Sequence, residues 1–185
     1  MKTHLHPSLR YNFRTPGSVV GGPIRYAIGS YAQDLVLVGH SGQGICAIFL
    51  GEDAHALQAQ LAGAFPGVPQ QEDVHSLRGD LNKVIAFLQN DKTQGCIDLD
   101  VGGTAFQQKV WQALCAIPAG QTRSYTQVAQ GLGIPRAVRA VASACAANVL
   151  AIAVPCHRVL RSDGSISGYR WGVERKRALL EKENG

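Results

Sequence analysis

The 185-residue chain predicts an α+β protein built in two parts. Three observations carry that expectation. Short apolar runs alternating with turns fill the first half, strongly periodic helical segments fill the second, and the charge divides between the two halves. Residues 1–103 hold 7 Lys+Arg against 9 Asp+Glu, whereas residues 104–185 hold 11 against 4, and eight of those eleven are arginines. A basic half beside a slightly acidic one fits contact with a polyanion, and fits a solvated basic surface as well. Apolar residues at 45% and charged ones at 17% exclude a disordered chain. No apolar run approaches the roughly 18 residues that a membrane span needs.

The opening stretch, "MKTHLHPSLRYNFRTPGSVVGGP", is basic but lacks the apolar core of a secretory signal, so residues 1–23 read as a flexible leader. "IRYAIGSY", "DLVLVGH" and "GICAIFLG" read as strands, the last two joined by a turn at Ser41-Gly42-Gln43-Gly44. That turn together with Cys46-Ala47 also satisfies the dinucleotide fingerprint GxGxxA. The fingerprint needs a helix after its glycines to hold a pyrophosphate, and the β-branched run that follows here favours a hairpin. "EDAHALQAQLAGAF" and "SLRGDLNKVIAFLQN" read as helices. In the second, Leu77, Leu81, Val84, Ile85 and Leu88 recur at helical spacing behind a Ser76 N-cap. "CIDLDV" is the last strand of a subdomain spanning residues 24–101.

Residues 102–185 are mostly helical. Thr104 caps "AFQQKVWQALCAI", in which Phe106, Val110, Leu114 and Ile117 form an apolar stripe. After the turn "PAGQT", two short segments, "SYTQVAQGLG" and "IPRAVRAVASACAAN", flank a glycine-containing turn, with Pro135 placed in the first turn of the second helix. That pattern is a helix-turn-helix signature. The second helix is nearly bare, rich in alanine and carrying Arg136 and Arg139. Small residues suit tight helix packing, and they would also let a backbone approach a nucleic-acid groove.

The five cysteines lie at positions 46, 96, 115, 145 and 156, none at CxxC spacing. Without an export signal they should remain thiols in a reducing cytoplasm, and a zinc site built mainly from cysteine is not expected. Cys156 differs from the rest because Val154-Pro155 pins the chain before it and His157 follows it. A thiol is nucleophilic as thiolate, and an adjacent base is the usual means of activation. A buried structural cysteine stays open as the plainer alternative. His4, His6, His40, His55 and His75 are scattered along the chain and read as surface residues rather than metal ligands.

From about Arg25 onward, the runs "GICAIFLG", "GTAFQQKVWQAL", "AVRAVASACAAN" and "ANVLAIAVPCHRVLRSDGSISGYRWGVERKRALL" resemble the O6-alkylguanine-DNA alkyltransferases, above all the C-terminal half of the Ada-type proteins. "PCHRV" with an asparagine eight residues before its cysteine carries most of the likeness. The resemblance implies an RNase H-like α/β N-terminal subdomain and a winged helix-turn-helix C-terminal domain. It implies irreversible, single-turnover transfer of an alkyl group to Cys156 from O6 of guanine, and weakly from O4 of thymine, in duplex DNA. His157 would act on the thiol through a water, and Glu183, matched by ungapped extension, would orient His157. Asn148 would tie the helix-turn-helix to the active-site segment. Arg139 would fill the base stack, with Arg136 beside it on the DNA. Tyr125 would stand at the 3′ phosphate, bond the flipped base and donate a proton to the departing guanine. The Val159 carbonyl, Tyr169, Arg170 and Trp171 would line the guanine pocket, with Trp171 narrowing it against adducts such as O6-benzylguanine.

The expected partner is double-stranded DNA containing O6-alkylguanine, met by a monomer with no cofactor and no metal. The second helix would lie in the minor groove, where readout is degenerate, so binding should be largely independent of sequence. The zinc-bound phosphotriester-repair domain and transcriptional helix-turn-helix of Ada-type proteins have no counterpart in the sequence, so transcriptional regulation is not expected. Two rivals remain at this level. One is a relative that binds alkylated DNA without repairing it, and the other is a DNA-binding module whose cysteine senses oxidation.

Overall fold

A computed structural model describes residues 8–91 and 95–185. Residues 1–7 of the leader expected at 1–23 lie outside the described residues. The chain divides into two compact units between Gly103 and Thr104, two residues beyond the boundary read from the sequence.

The first unit is a six-stranded mixed sheet with two helices. Its strands are β1 (Leu9–Phe13), β2 (Ile24–Tyr31), β3 (Asp34–His40), β4 (Ile45–Gly51), β5 (Gln70–Glu72) and β6 (Ile97–Val101). Their spatial order is β1-β6-β4-β3-β2-β5. β2, β3 and β4 form an antiparallel meander, while β1 and β4 run parallel to β6 and β5 parallel to β2. The turn at residues 41–44 joins β3 to β4, so the GxGxxA match is a hairpin.

Helices α1 (Ala54–Ala64) and α2 (Val74–Leu88) cover opposite faces of this sheet. Gly29, paired with Val36, meets Leu81 of α2. Gly39, an odd number of positions along β3 from Val36 and so on the other face, meets Leu61 of α1. Double coverage explains why β3 and β4 read as continuous apolar runs rather than alternating ones.

Two expectations are corrected here. The N-cap of α2 is Asp73, whose carboxylate accepts the Ser76 amide at 3.0 Å, so Ser76 sits inside the first turn. Residues 9–13 are an edge strand rather than leader. Alternation of Leu9, Tyr11 and Phe13 suits a strand, and the Arg14 guanidinium anchors its end on the buried Asp100 at 2.8 Å. The Ser41 hydroxyl donates to the same carboxylate.

The second unit holds α3 (Ala105–Cys115), α4 (Tyr125–Gly131), α5 (Val138–Ala146) and α6 (Val173–Asn184), with two short paired parallel strands, β7 (Arg123–Ser124) and β8 (Val159–Leu160). Thr104 with Gln107, and Ser124 with Gln127, form capping boxes at α3 and α4. The Trp111 indole of α3 donates to Ala144 O of α5 at 2.9 Å, fixing the two helices at close range where α5 is bare. α5 begins at Val138, so Pro135 belongs to the preceding turn and not to the helix. The apolar run "VLAIAV", whose composition reads as a buried strand or extended segment, is instead a buried turn, with Ile152 at φ 66°.

Candidate active site

Asn148 organises the turn that leads to Cys156. Its Oδ1 accepts the Leu150 amide at 2.8 Å. Its Nδ2 group faces Val154 O at 2.9 Å, Leu150 O at 3.3 Å and Cys156 Sγ at 3.3 Å. A left-handed β-branched residue such as Ile152 is strained, and persists only where its surroundings over-determine it. The Asn148 contacts and the Val154 N to Leu150 O bond at 3.0 Å supply that constraint. Pro155, which has no amide hydrogen, then enters a single 3-10 turn, Cys156–Arg158.

Within this turn Cys156 is 4% exposed and His157 is fully buried. Burial pushes the Cys156 thiol up, opposed by the Asn148 hydrogen bond and by the Lys176 and Arg170 charges. The thiol is therefore neutral at rest and needs a base. His157 Nε2 lies 2.8 Å from Glu183 Oε1, in the last turn of α6. Burial holds the imidazole below its ordinary value even though Glu183 works the other way, so the ring is neutral near pH 7. Because a carboxylate only accepts, Nε2 carries the hydrogen and Nδ1 keeps its lone pair. Nδ1 is buried with no hydrogen-bond partner among the described residues.

Glu183 is itself clamped. Arg158 donates to it through Nε at 3.0 Å and Nη2 at 2.8 Å, and the Gly120 amide donates at 3.3 Å. Burial alone would raise its carboxyl. The hydrogen bonds from His157 and Arg158 outweigh burial and hold it at about 2. Arg158 also donates to Ile117 O at 2.6 Å, joining the end of α6 to the turn after α3.

Above Cys156 opens a cavity of about 570 Å³, bounded by Tyr125, by Ala142, Cys145 and Ala146 of α5, and by Ser167, Tyr169 and Arg170. The Tyr125 hydroxyl meets Ser167 Oγ at 2.6 Å. Lys176, fully buried, donates to Ser167 Oγ at 3.1 Å and to Val159 O at 2.6 Å.

The structure brings Cys156, His157, Asn148, Glu183, Tyr125, Tyr169 and Arg170 together. Two residues expected to line the pocket sit differently from the rest. Val159 is not in the cavity wall: it is fully buried, and its carbonyl is taken by Lys176. Trp171 stands behind the wall, 3% exposed and edge-on to Tyr169 with ring centroids 5.2 Å apart. Arg136 and Arg139 are exposed, and neither has an ion-pair partner among the described residues. Arg139, Ala140, Ser143 and Ala146 form the solvent face of α5.

Sequence reasoning missed Arg158, Ser167, Lys176 and the place of Cys145 in the cavity wall. Only Lys176 carried a usable signal, as a lysine four residues before Leu180 on the inner face of an arginine-rich helix. Among the described residues, no cluster of three or more His, Cys, Asp or Glu could hold a metal. No helix there is long and apolar enough to cross a membrane.

With this geometry in hand, comparisons identify the chain's relatives. Residues 105–185 match the family described as 6-O-methylguanine DNA methyltransferase, DNA binding domain. The bifunctional transcriptional activator/DNA repair enzyme Ada of Escherichia coli is 51% identical over 160 residues, covering 86% of this chain and 45% of that protein, so the chain spans about half of that relative's length. The methylated-DNA–protein-cysteine methyltransferase of Mycobacterium tuberculosis H37Rv is 46% identical over 111 residues, covering 60% of this chain and 67% of that one. The crystal structure of M. tuberculosis OGT in complex with DNA superposes with a TM-score of 0.71 at 34% identity, covering 86% of this chain and 92% of that chain. The α+β fold is thus shared with solved O6-methylguanine methyltransferases, and the chain belongs to the methylated-DNA–protein-cysteine methyltransferase family.

Proposed function

We propose that this chain repairs DNA directly, taking a methyl or other alkyl group from O6 of guanine, and weakly from O4 of thymine, in duplex DNA onto Cys156. One observation carries the reading: a buried thiol at the floor of a cavity with room for a base, beside a neutral histidine whose proton position is fixed by an ionised carboxylate.

The roles follow from that arrangement. His157 Nδ1 draws the thiol proton through a water, Glu183 orients the ring, and Asn148 stabilises the emerging thiolate through its Nδ2 hydrogen. The thiolate attacks the alkyl carbon in line as the C–O6 bond breaks, and Tyr125 protonates the departing guanine. The thioether cannot be hydrolysed, so each molecule acts once and needs no cofactor. Chemistry on a paired base requires extruding it, which costs a few kcal/mol. Arg139 on the bare face of α5 fills the vacated stack, with Arg136 beside it on the phosphates.

In this reading α4 and α5 are the helix-turn-helix and the loop from residue 161 to 172 is its wing. Residues 24–101 are the RNase H-like subdomain, and the protein acts as a monomer in the cytoplasm. Incubation with O6-methylguanine duplex followed by intact mass measurement tests it. A gain of about 14 Da, lost in Cys156→Ser, is the expected product of covalent transfer to the thiol. No gain in the intact protein overturns the reading.

A further inference from the structure

Lys176 stands apart from the chemistry assigned so far. A fully buried ammonium is costly unless its hydrogens are all used, and here two of them go to one short chain of groups. Lys176 Nζ donates to Val159 O at 2.6 Å and to Ser167 Oγ at 3.1 Å, and Ser167 Oγ lies 2.6 Å from the Tyr125 hydroxyl. Ser167 is itself 9% exposed. Its oxygen accepts from the lysine, which leaves its own hydrogen to turn toward Tyr125. The line runs from α6, through the loop before it, to the first residue of α4, and ends in the cavity wall.

We infer that Ser167 and Lys176 are positioning residues that resupply Tyr125 with a proton as the alkyl acceptor reaction proceeds. The inference rests on the repair reading above. As the S–C bond forms and the C–O6 bond breaks, the electron pair left on guanine takes the Tyr125 proton. Ser167 passes its hydrogen to the phenolate and receives one from Lys176 Nζ, which is left as a neutral amine; once guanine has left, water in the cavity that Ser167 lines returns the proton along the same hydroxyl. The thiol proton of Cys156 goes separately to His157, so no oxidant, reductant or further reactant is required. The side-chain bonds of Ser167 go to Tyr125 and Lys176, on the leaving-group side of the reaction, and its effect therefore depends on the leaving group.

That dependence supplies the test. Single-turnover alkylation of Cys156, read by peptide mass, is compared for O6-methylguanine duplex and for iodomethane, whose iodide leaves without a proton. In Ser167→Ala, transfer from the duplex is expected to slow about 100-fold, the size of a general-acid contribution, with iodomethane alkylation unchanged. Ser167→Thr, which keeps the hydroxyl, is expected to restore the duplex rate to within about threefold of wild type. Equal losses with both methyl donors, or no loss with either, would overturn the relay. A failure of Ser167→Thr to recover the rate would count against it as well. If the unaltered protein takes methyl from iodomethane but none from the duplex, the repair reading falls, and the relay with it.

Discussion

The Nε2 atom of His157 and Oε1 of Glu183 stand 2.8 Å apart, and this contact decides which ring nitrogen is basic. An amide at position 183 can donate as well as accept, so it no longer enforces one tautomer. Glu183→Gln is expected to slow methyl transfer about 100-fold in single-turnover assays, with duplex binding unaltered. An unchanged rate would refute the orienting role.

The same pair makes stability depend on acid. Glu183 sits at about 2 in the folded protein against an ordinary value of 4.5. A depressed carboxyl contributes stability that is complete above the unfolded value and disappears as pH falls from about 4.5 toward 2. His157, depressed by burial, acts in the same direction, its contribution falling once pH drops below 6.5. Urea midpoints measured from pH 7 to pH 3 should fall more steeply for wild type than for Glu183→Gln.

Asn148 contacts both the thiol and the turn before it. Asn148→Asp puts a negative charge and an acceptor where a donor stood. The thiolate is then destabilised, and the pH midpoint for iodoacetamide labelling of Cys156 should rise by at least about one unit. Asn148→Ala leaves the Leu150 amide and Val154 carbonyl without the side chain, and should cost about 2–4 kcal/mol in chemical denaturation.

The two exposed arginines are expected to separate by assay. Arg136→Ala should reduce the slope of log K against log salt for undamaged duplex by about one. Arg139→Ala should slow transfer from a fully paired lesion far more than from a mismatched one, because a mismatched base is cheaper to extrude. Equal slowing on both substrates would remove Arg139 from the stack-filling role.

Trp171 packs edge-on against Tyr169, a residue of the cavity wall. Trp171→Gly removes the edge that backs the phenol ring, and is expected to lower stability by about 3–5 kcal/mol. It should also raise the rate with O6-benzylguanine, as the released ring gives way. No change in that rate would show that Tyr169 is held from elsewhere.

Much of this was legible in the sequence. The strand runs at residues 24–31 and 34–40 and the Thr104 cap fall where periodicity and capping chemistry place them, and α4 and α5 lie within the two short segments read as helices, although α5 starts only after Pro135. β1 was hidden because an edge strand of five residues ends at Arg14, whose anchor on Asp100 is distant in sequence. The run before Cys156 misled because apolar composition reports burial, not backbone shape, and its turn is imposed by Asn148. In the site, Cys156, His157 and Asn148 are neighbours in the chain and could be read together. Ser167 becomes visible only when α6 folds back across the site, since nothing in its local sequence marks it as a polar group with an interior partner, whereas Lys176 is marked only by its place on the inner face of α6.

Glu183 lies one residue before the end of α6. Helix ends open at far lower free energy than the interior of a fold. Orientation of the reactive imidazole is therefore only as durable as a single terminal turn, whatever the stability of the core. The Arg158 fork and the Gly120 amide act as a latch on that turn. The population of competent molecules is governed by the latch, a local equilibrium that amide hydrogen exchange at the end of α6 reads directly.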